Sequence, residues 1–196
     1  MIAAHEESAE LMTAEQLLTY HAPNKRVELV RGRLVVKEPP GWQHGEVMVR
    51  VATALSMHVS QEQARHGWSA PRGRLACGDP GFTLFRDPDT VRAPDVAYVA
   101  RERLVLPNPA GFAERAPDLA VEIRSPTDRT GEILAKVADW LEAGSRLVWV
   151  IDPVRRTAAV YRADGSMAMV DEHGALSGED VLPGFTHALG ALFRDG

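Results

Sequence analysis

Cysteine is almost absent from this sequence: Cys77 stands alone. A single thiol cannot close an internal disulfide, and it excludes a four-cysteine structural zinc site. Long apolar runs are missing as well, with no stretch near the roughly 18 apolar residues that suggest a membrane span. Residues 1–10 are polar and acidic, without the basic start and apolar core of a secretion signal. The expectation is a cytoplasmic protein without a membrane partner. Positive charge is not in excess: 22 Lys and Arg face 27 Asp and Glu, a net charge of −5. That argues against a protein that coats nucleic acid by bulk electrostatics. It leaves room for a local basic groove, and short basic clusters occur at Lys25-Arg26, Arg31 and Arg33, Arg72 and Arg74, Arg101 and Arg103, and Arg155-Arg156. Gly-x-Gly-x-x-Gly, Walker and His-Glu-x-x-His patterns are lacking, so neither a nucleotide cofactor nor that zinc site is expected.

What is present suffices for one core. The chain has 196 residues, 45% of them hydrophobic, which predicts a single domain over 12–196 behind a flexible tail at 1–11. Thr13 and Gln16 match a capping box and open a short helix. Residues 26–38 read as a hairpin turning at Arg31-Gly32, stopped by Pro39-Pro40-Gly41. Val47, Val51, Ala54, Leu55 and Val59 keep to one face of a helix over 42–65, which His66-Gly67 ends. Short strands fill 68–100, with turns at Gly78-Asp79-Pro80 and Asp87-Pro88-Asp89, and the last of them runs over 95–100. A loop with Pro107, Pro109 and Gly111 leads to a strong strand at 118–124, then a helix at 129–142 closed by Gly144. Two strands follow, at 146–151 and 158–161, and a turn-rich end with a helical turn near 187–193. This order predicts an α/β fold with a mixed central sheet flanked by helices.

Two acids stand out within it. Asp95, after Pro94, opens one strand, and Glu122 lies near the end of the next strong one. Antiparallel pairing of the two would bring the carboxylates together at one end of the sheet. Convergent carboxylates call for a cation, and a hard divalent ion takes oxygen ligands, binds phosphate and activates water. Alternation puts Glu122 on one face with Ala120 and Arg124, and Leu119, Val121 and Ile123 on the other. Taken singly, each acid has a plainer reading: Glu122 as an edge residue or the partner of an arginine, Asp95 as a turn residue. On the helix that follows, Lys136 sits on the shoulder of a stripe formed by Ile133, Val137, Trp140 and Leu141. From there it could reach the sheet or face solvent. Glu28 alternates with Val27 and Leu29 as a solvent-side residue would, and His44 could serve a local bond at a helix start.

These blocks, the hairpin at 26–35, His44, 81–85, 88–99 with Pro94-Asp95-Val96, 116–123 with Glu122, Ser125-Pro126, and 136–150 with Asp152-Pro153, come in the order of a known family. Over about residues 12–165 the chain resembles the Uma-two family of restriction-endonuclease-like bacterial proteins, within the PD-(D/E)XK nuclease superfamily. The resemblance implies a restriction-endonuclease-like core in which Asp95, Glu122 and the backbone carbonyl of Ile123 bind Mg²⁺ or Mn²⁺. The ordinary motif has a lysine two residues after the Glu, where this chain has Arg124. Arginine keeps its charge and cannot act as a base, though it can clamp phosphate. In the Uma-two pattern that position is usually aliphatic and the lysine lies on the next helix, where Lys136 matches it. The resemblance also places Glu28 and His44 on the site side and implies DNA as substrate and a homodimer. A non-catalytic binding or assembly module built on the same core is the alternative, and a hydrolase of another small substrate is a third reading.

Overall fold

Capping and turn chemistry account for the first elements of the computed structural model, which describes residues 11–66, 73–104 and 110–194. Thr13 caps helix α1 (Ala14–Thr19) in the expected box, its side chain and that of Gln16 each accepting the other's backbone N–H. Strands β1 (Arg26–Val30) and β2 (Arg33–Lys37) pair antiparallel. Arg31 and Gly32 both turn at positive φ, +49° and +73°, the combination a two-residue hairpin requires. Of the expected tail only Leu11 is described. Gly67, residues 68–72, Pro107 and Pro109 also lie outside the described residues.

The 25-residue helix α2 (Trp42–His66) follows, then β3 (Arg74–Cys77), β4 (Phe82–Phe85), β5 (Thr90–Arg92), β6 (Val96–Val99) and β7 (Leu119–Ile123). Helix α3 (Thr130–Glu142) joins β7 to β8 (Leu147–Asp152), and β9 (Thr157–Arg162) and β10 (Met167–Val170) complete the main elements. Gly144 closes α3 with φ +96°, a conformation that favours glycine. Two short strands, β11 (Ala175–Ser177) and β12 (Thr186–Ala188), pair with each other ahead of a 3-10 turn at Leu189–Phe193.

The strands form a six-stranded sheet in the order β10-β9-β8-β7-β6-β3 and a separate four-stranded sheet in the order β2-β1-β5-β4. Within the large sheet only β7 and β8 run parallel, and a helical crossover is what a parallel pair needs. The hairpin at 26–37 therefore belongs to the smaller sheet, not the central one.

Alternation along the central strands feeds two cores. Leu119, Val121 and Ile123 face α2, where Val47, Val51 and Leu55 recur every four residues. Ala97, Ala120, Val148 and Val150 face α3, packed by Ile133, Val137 and Trp140. The alanines on this second face leave depth for the Trp140 ring and for the side chain of Glu122. No described helix is long and apolar enough to cross a membrane.

Leu55 is fully buried under α2. Leu55→Ala should lower the unfolding free energy by about 3 kcal/mol, read from urea denaturation midpoints at unchanged m-value.

Candidate active site

Antiparallel pairing of β6 and β7 matches Val96 with Val121. That register, carried one residue further, sets Asp95 beside Glu122, and the Asp95 N–H donates to the Val121 carbonyl at 3.0 Å. Strand β6 begins one residue later than expected, and Asp95 stands just before it. Both carboxylates are buried, at 2% and 3% exposure, and both line a cleft of about 730 Å³ between the two sheets.

Asp95 is held from three sides. Its Oδ2 accepts the Ile123 N–H at 2.6 Å. Its Oδ1 accepts from Arg26 Nη2 at 3.0 Å and lies 3.2 Å from His44 Nε2. Burial pushes this carboxyl up, but the His44 hydrogen bond and charge, Arg26 and the Ile123 amide outweigh it and hold Asp95 below its ordinary value. His44 is buried in the first turns of α2, and its Nδ1 has no partner among the described residues. Arg26 also pairs with Asp79, the turn residue expected to do no more than break a strand.

Glu122 is held by α3. Its Oε2 accepts from Lys136 Nζ and its Oε1 from the Trp140 indole N–H, each at 2.9 Å. Lys136 and Trp140 are four residues apart, so one helical face grips both oxygens. Lys136 is only 4% exposed and is not the solvent-facing lysine that its shoulder position allowed. Its ammonium also reaches Glu28 Oε1 at 2.9 Å. Glu28 is thus a buried residue and not a solvent-side one. Its other oxygen takes Arg92 Nη1 at 3.0 Å, and the Ala93 N–H adds a bond at 3.1 Å. Arg92 is buried too, and its Nε donates to Asp139 at 2.8 Å.

The charges follow from this packing. Burial would lower Lys136, but Glu122 and Glu28 raise it above its ordinary value, so it stays an ammonium at neutral pH. Burial also raises Glu28, yet Lys136 and Arg92 prevail and its value is lowered. Glu122 goes the other way: burial raises it, Asp95 and Glu28 add to the rise, and Lys136 offsets only part.

Arg124 leaves the cleft to Lys136. Its guanidinium turns to Asp152 at 3.2 Å and to the Asp128 carbonyl at 3.4 Å. Sequence reasoning missed Arg92, Asp139, Asp79 and the polar role of Trp140. Only the i, i+4 spacing from Lys136 to Trp140 was available as a signal.

The donor chemistry fits a hard divalent cation. Among the residues that line the cleft, Glu28, Glu38, Asp79, Asp95, Glu122, Asp128 and Glu132 outnumber the cations Lys25, Arg26, Lys37 and Lys136. An added cation would relieve the like-charge crowding that raises Glu122. Among the described residues no three His, Cys, Asp or Glu side chains form a ready metal cage. Other ligands would then be backbone oxygen or water.

Comparison with known proteins agrees with the architecture. The model of the Uma2 family, described as "Putative restriction endonuclease", matches residues 14–190. The chain belongs to that family. A solved structure of "a putative nuclease belonging to DUF820" from Anabaena variabilis ATCC 29413 superposes with a TM-score of 0.76 at 19% identity. The match covers 93% of this chain and 97% of that one, and it shows a shared fold. No curated protein matches the chain.

The acids set an acid-side stability limit. Glu28 and Asp95 are lowered from ordinary values of 4.5 and 3.8, so the stability they contribute is present above those values and lost as pH falls through the lower folded ones. Urea midpoints measured from pH 7 down to pH 2 should fall below about pH 4. Glu28→Gln should flatten that fall while costing on the order of 3 kcal/mol at neutral pH, since it unbalances a buried ion network.

Proposed function

We propose that this chain is a metal-dependent phosphodiesterase acting on DNA, with Asp95 and Glu122 as its metal-binding acids and Lys136 as its basic residue. The observation that carries the reading is the meeting of all three in one cleft, the two acids opposed across β6 and β7. Family membership supports a nuclease, and the excess of carboxylates supports a Mg²⁺ or Mn²⁺ ion held by Asp95, Glu122 and the Ile123 carbonyl.

Such an ion would supply a Lewis acid for a phosphate oxygen and lower the pKa of a bound water. The protein's own groups do the rest. The Ile123 amide, Arg26 and His44 fix the Asp95 carboxylate, and Trp140 fixes Glu122. Lys136 remains charged, so it donates to a phosphate oxygen or a water and does not act as a base. Cutting both strands of a duplex would take two copies of the site, which a homodimer would provide.

One observation favours the alternative of a non-catalytic module: each oxygen of Asp95 and Glu122 already accepts a donor from the protein. Mn²⁺ titration followed by calorimetry separates the two, since a module neutralised from within should bind no ion even at millimolar concentration.

The decisive assay is cleavage of plasmid and linear DNA with Mg²⁺ or Mn²⁺, against EDTA. Asp95→Ala, Glu122→Gln and Lys136→Ala should each reduce the rate by at least about a hundredfold. Circular dichroism should show the fold retained. Lys136→Arg, which keeps the charge, guards against a folding failure of the alanine variant. Cleavage at the unaltered rate in all of these would remove the assignment.

A further inference from the structure

A phosphodiester is an anion, and in a cleft rich in carboxylates it needs a positive group of the protein to meet it. Among the described residues, the Lys and Arg side chains that line the cleft are Lys25, Arg26, Lys37 and Lys136. Lys25 is paired with the exposed Glu38, and Lys37 lies 3.6 Å from Asp128. Lys136 is closed in at 4% exposure, its ammonium shared between Glu28 and Glu122. Arg26 differs from all three. It stands against Asp95, yet it spends a single nitrogen, Nη2, on both Asp95 and Asp79. Its Nε and Nη1 donate to nothing among the described residues, and neither is shut away from solvent. Arg92 shows the contrast: it does not line the cleft, and Glu28 and Asp139 engage all three of its nitrogens.

Asp79 is what aims this guanidinium. It belongs to the turn between β3 and β4, where it takes φ +61° after Gly78 at +82°. Aspartate tolerates that left-handed conformation better than a branched side chain does. The Gly78 N–H donates to the Asp95 carbonyl at 3.1 Å, so the turn is tied to the backbone of the very acid that Arg26 touches. Among the described residues Asp79 pairs with Arg26 alone. Asp95 meets Arg26 through Oδ1, the oxygen not taken by the Ile123 N–H. Asp79 thus keeps the arginine in place whatever else Asp95 binds. A guanidinium held by one nitrogen still has donors on the other two, and its charge is permanent.

We propose that Arg26 is the phosphate-binding residue of the cleft, its unspent donors holding a non-bridging oxygen of the phosphodiester beside Asp95, with Asp79 as its positioning residue. The inference rests on the phosphodiesterase reading and adds to it the group that grips the DNA backbone. Lys136, enclosed by two acids, is left to orient the water.

The unaltered protein gives the first test. Phenylglyoxal modifies accessible guanidinium groups, and peptide mass spectrometry reads each arginine separately. Arg26 should react in the free protein and be protected at least about fivefold by saturating duplex DNA with Ca²⁺ in place of Mg²⁺. Arg124, turned to Asp152, should gain no protection. An Arg26 that fails to react, or reacts equally with and without DNA, overturns the assignment, and this holds even where a variant does not fold. Fluorescence anisotropy of the same labelled duplex over a salt series then counts the contact. Arg26→Gln should weaken binding about tenfold and reduce the slope of log K against log salt by about 0.9, the share of one phosphate. Arg124→Gln should change neither. Asp79→Asn should weaken binding about threefold at the parent slope, since the arginine keeps its charge. Affinity unchanged in Asp79→Asn overturns its positioning part. Cleavage lost in Arg26→Gln at the parent affinity and slope, the result expected of an arginine that only steadies Asp95, overturns the proposal and leaves the phosphodiesterase reading standing. Absence of DNA binding and of cleavage by the parent protein would bring down that reading itself.

Discussion

The Lys136 ammonium, set between Glu28 and Glu122, is the contact on which this architecture turns. It joins three elements: β1 of the smaller sheet, β7 of the larger, and α3, which carries Lys136. Its net contribution to stability is small, because desolvating three charges costs about what their attraction returns. Loss of any one partner is a different matter, since the remaining charges are buried without balance. The triad therefore acts less as a source of stability than as a lock on one arrangement of the two sheets. Arg92, held between Glu28 and Asp139, extends the lock by another step.

Much of the scaffold was legible in the sequence because local chemistry dictated it. The Thr13 cap, the Arg31-Gly32 turn and the apolar stripes of α2 and α3 are each fixed by a few neighbouring residues. The opposition of Asp95 and Glu122 could be anticipated from strand ends alone, given antiparallel pairing. The Lys136 position came from family resemblance and not from periodicity, which left a solvent-facing lysine open. Glu28 was unreadable for a plain reason. Period-two alternation says that one side of a strand differs from the other, but not that the polar side meets a second buried layer. That layer is supplied by Arg92 and Lys136, 64 and 108 positions further along the numbering, and no local rule connects them. Trp140 was read only as apolar bulk because its ring fills the core, while its one polar atom does the work of a hydrogen-bond donor.

Within the basic clusters, Lys25, Arg26, Arg103, Arg155 and Arg156 stand in ion pairs, and so do arginines outside them. Arg103 reaches Asp118, Arg146 meets Asp118 and Asp180, Arg156 pairs with Glu172, and Arg162 with Glu179. Arg86 is surrounded by Glu15, Asp89 and Glu114. Charges spent in this way create little long-range field, which agrees with the acidic total of the chain. Recognition of a polyanion by such a protein must then come from short-range contacts within the cleft.

One feature of β1 has a mechanical consequence. Arg26 and Glu28 are alternate residues, so they project from the same side of the strand, and each touches a different acid system: Arg26 the Asp95 carboxylate, Glu28 the lysine that serves Glu122. A single peptide segment thus tunes both halves of the centre at once. Should the hairpin peel from the body of the molecule by local unfolding, Asp95 would lose the Arg26 counter-charge and Lys136 would lose Glu28 as its second acid in the same event, with the six-stranded sheet still whole. The arrangement of the acids in the cleft and the docking of the hairpin are in that sense one equilibrium.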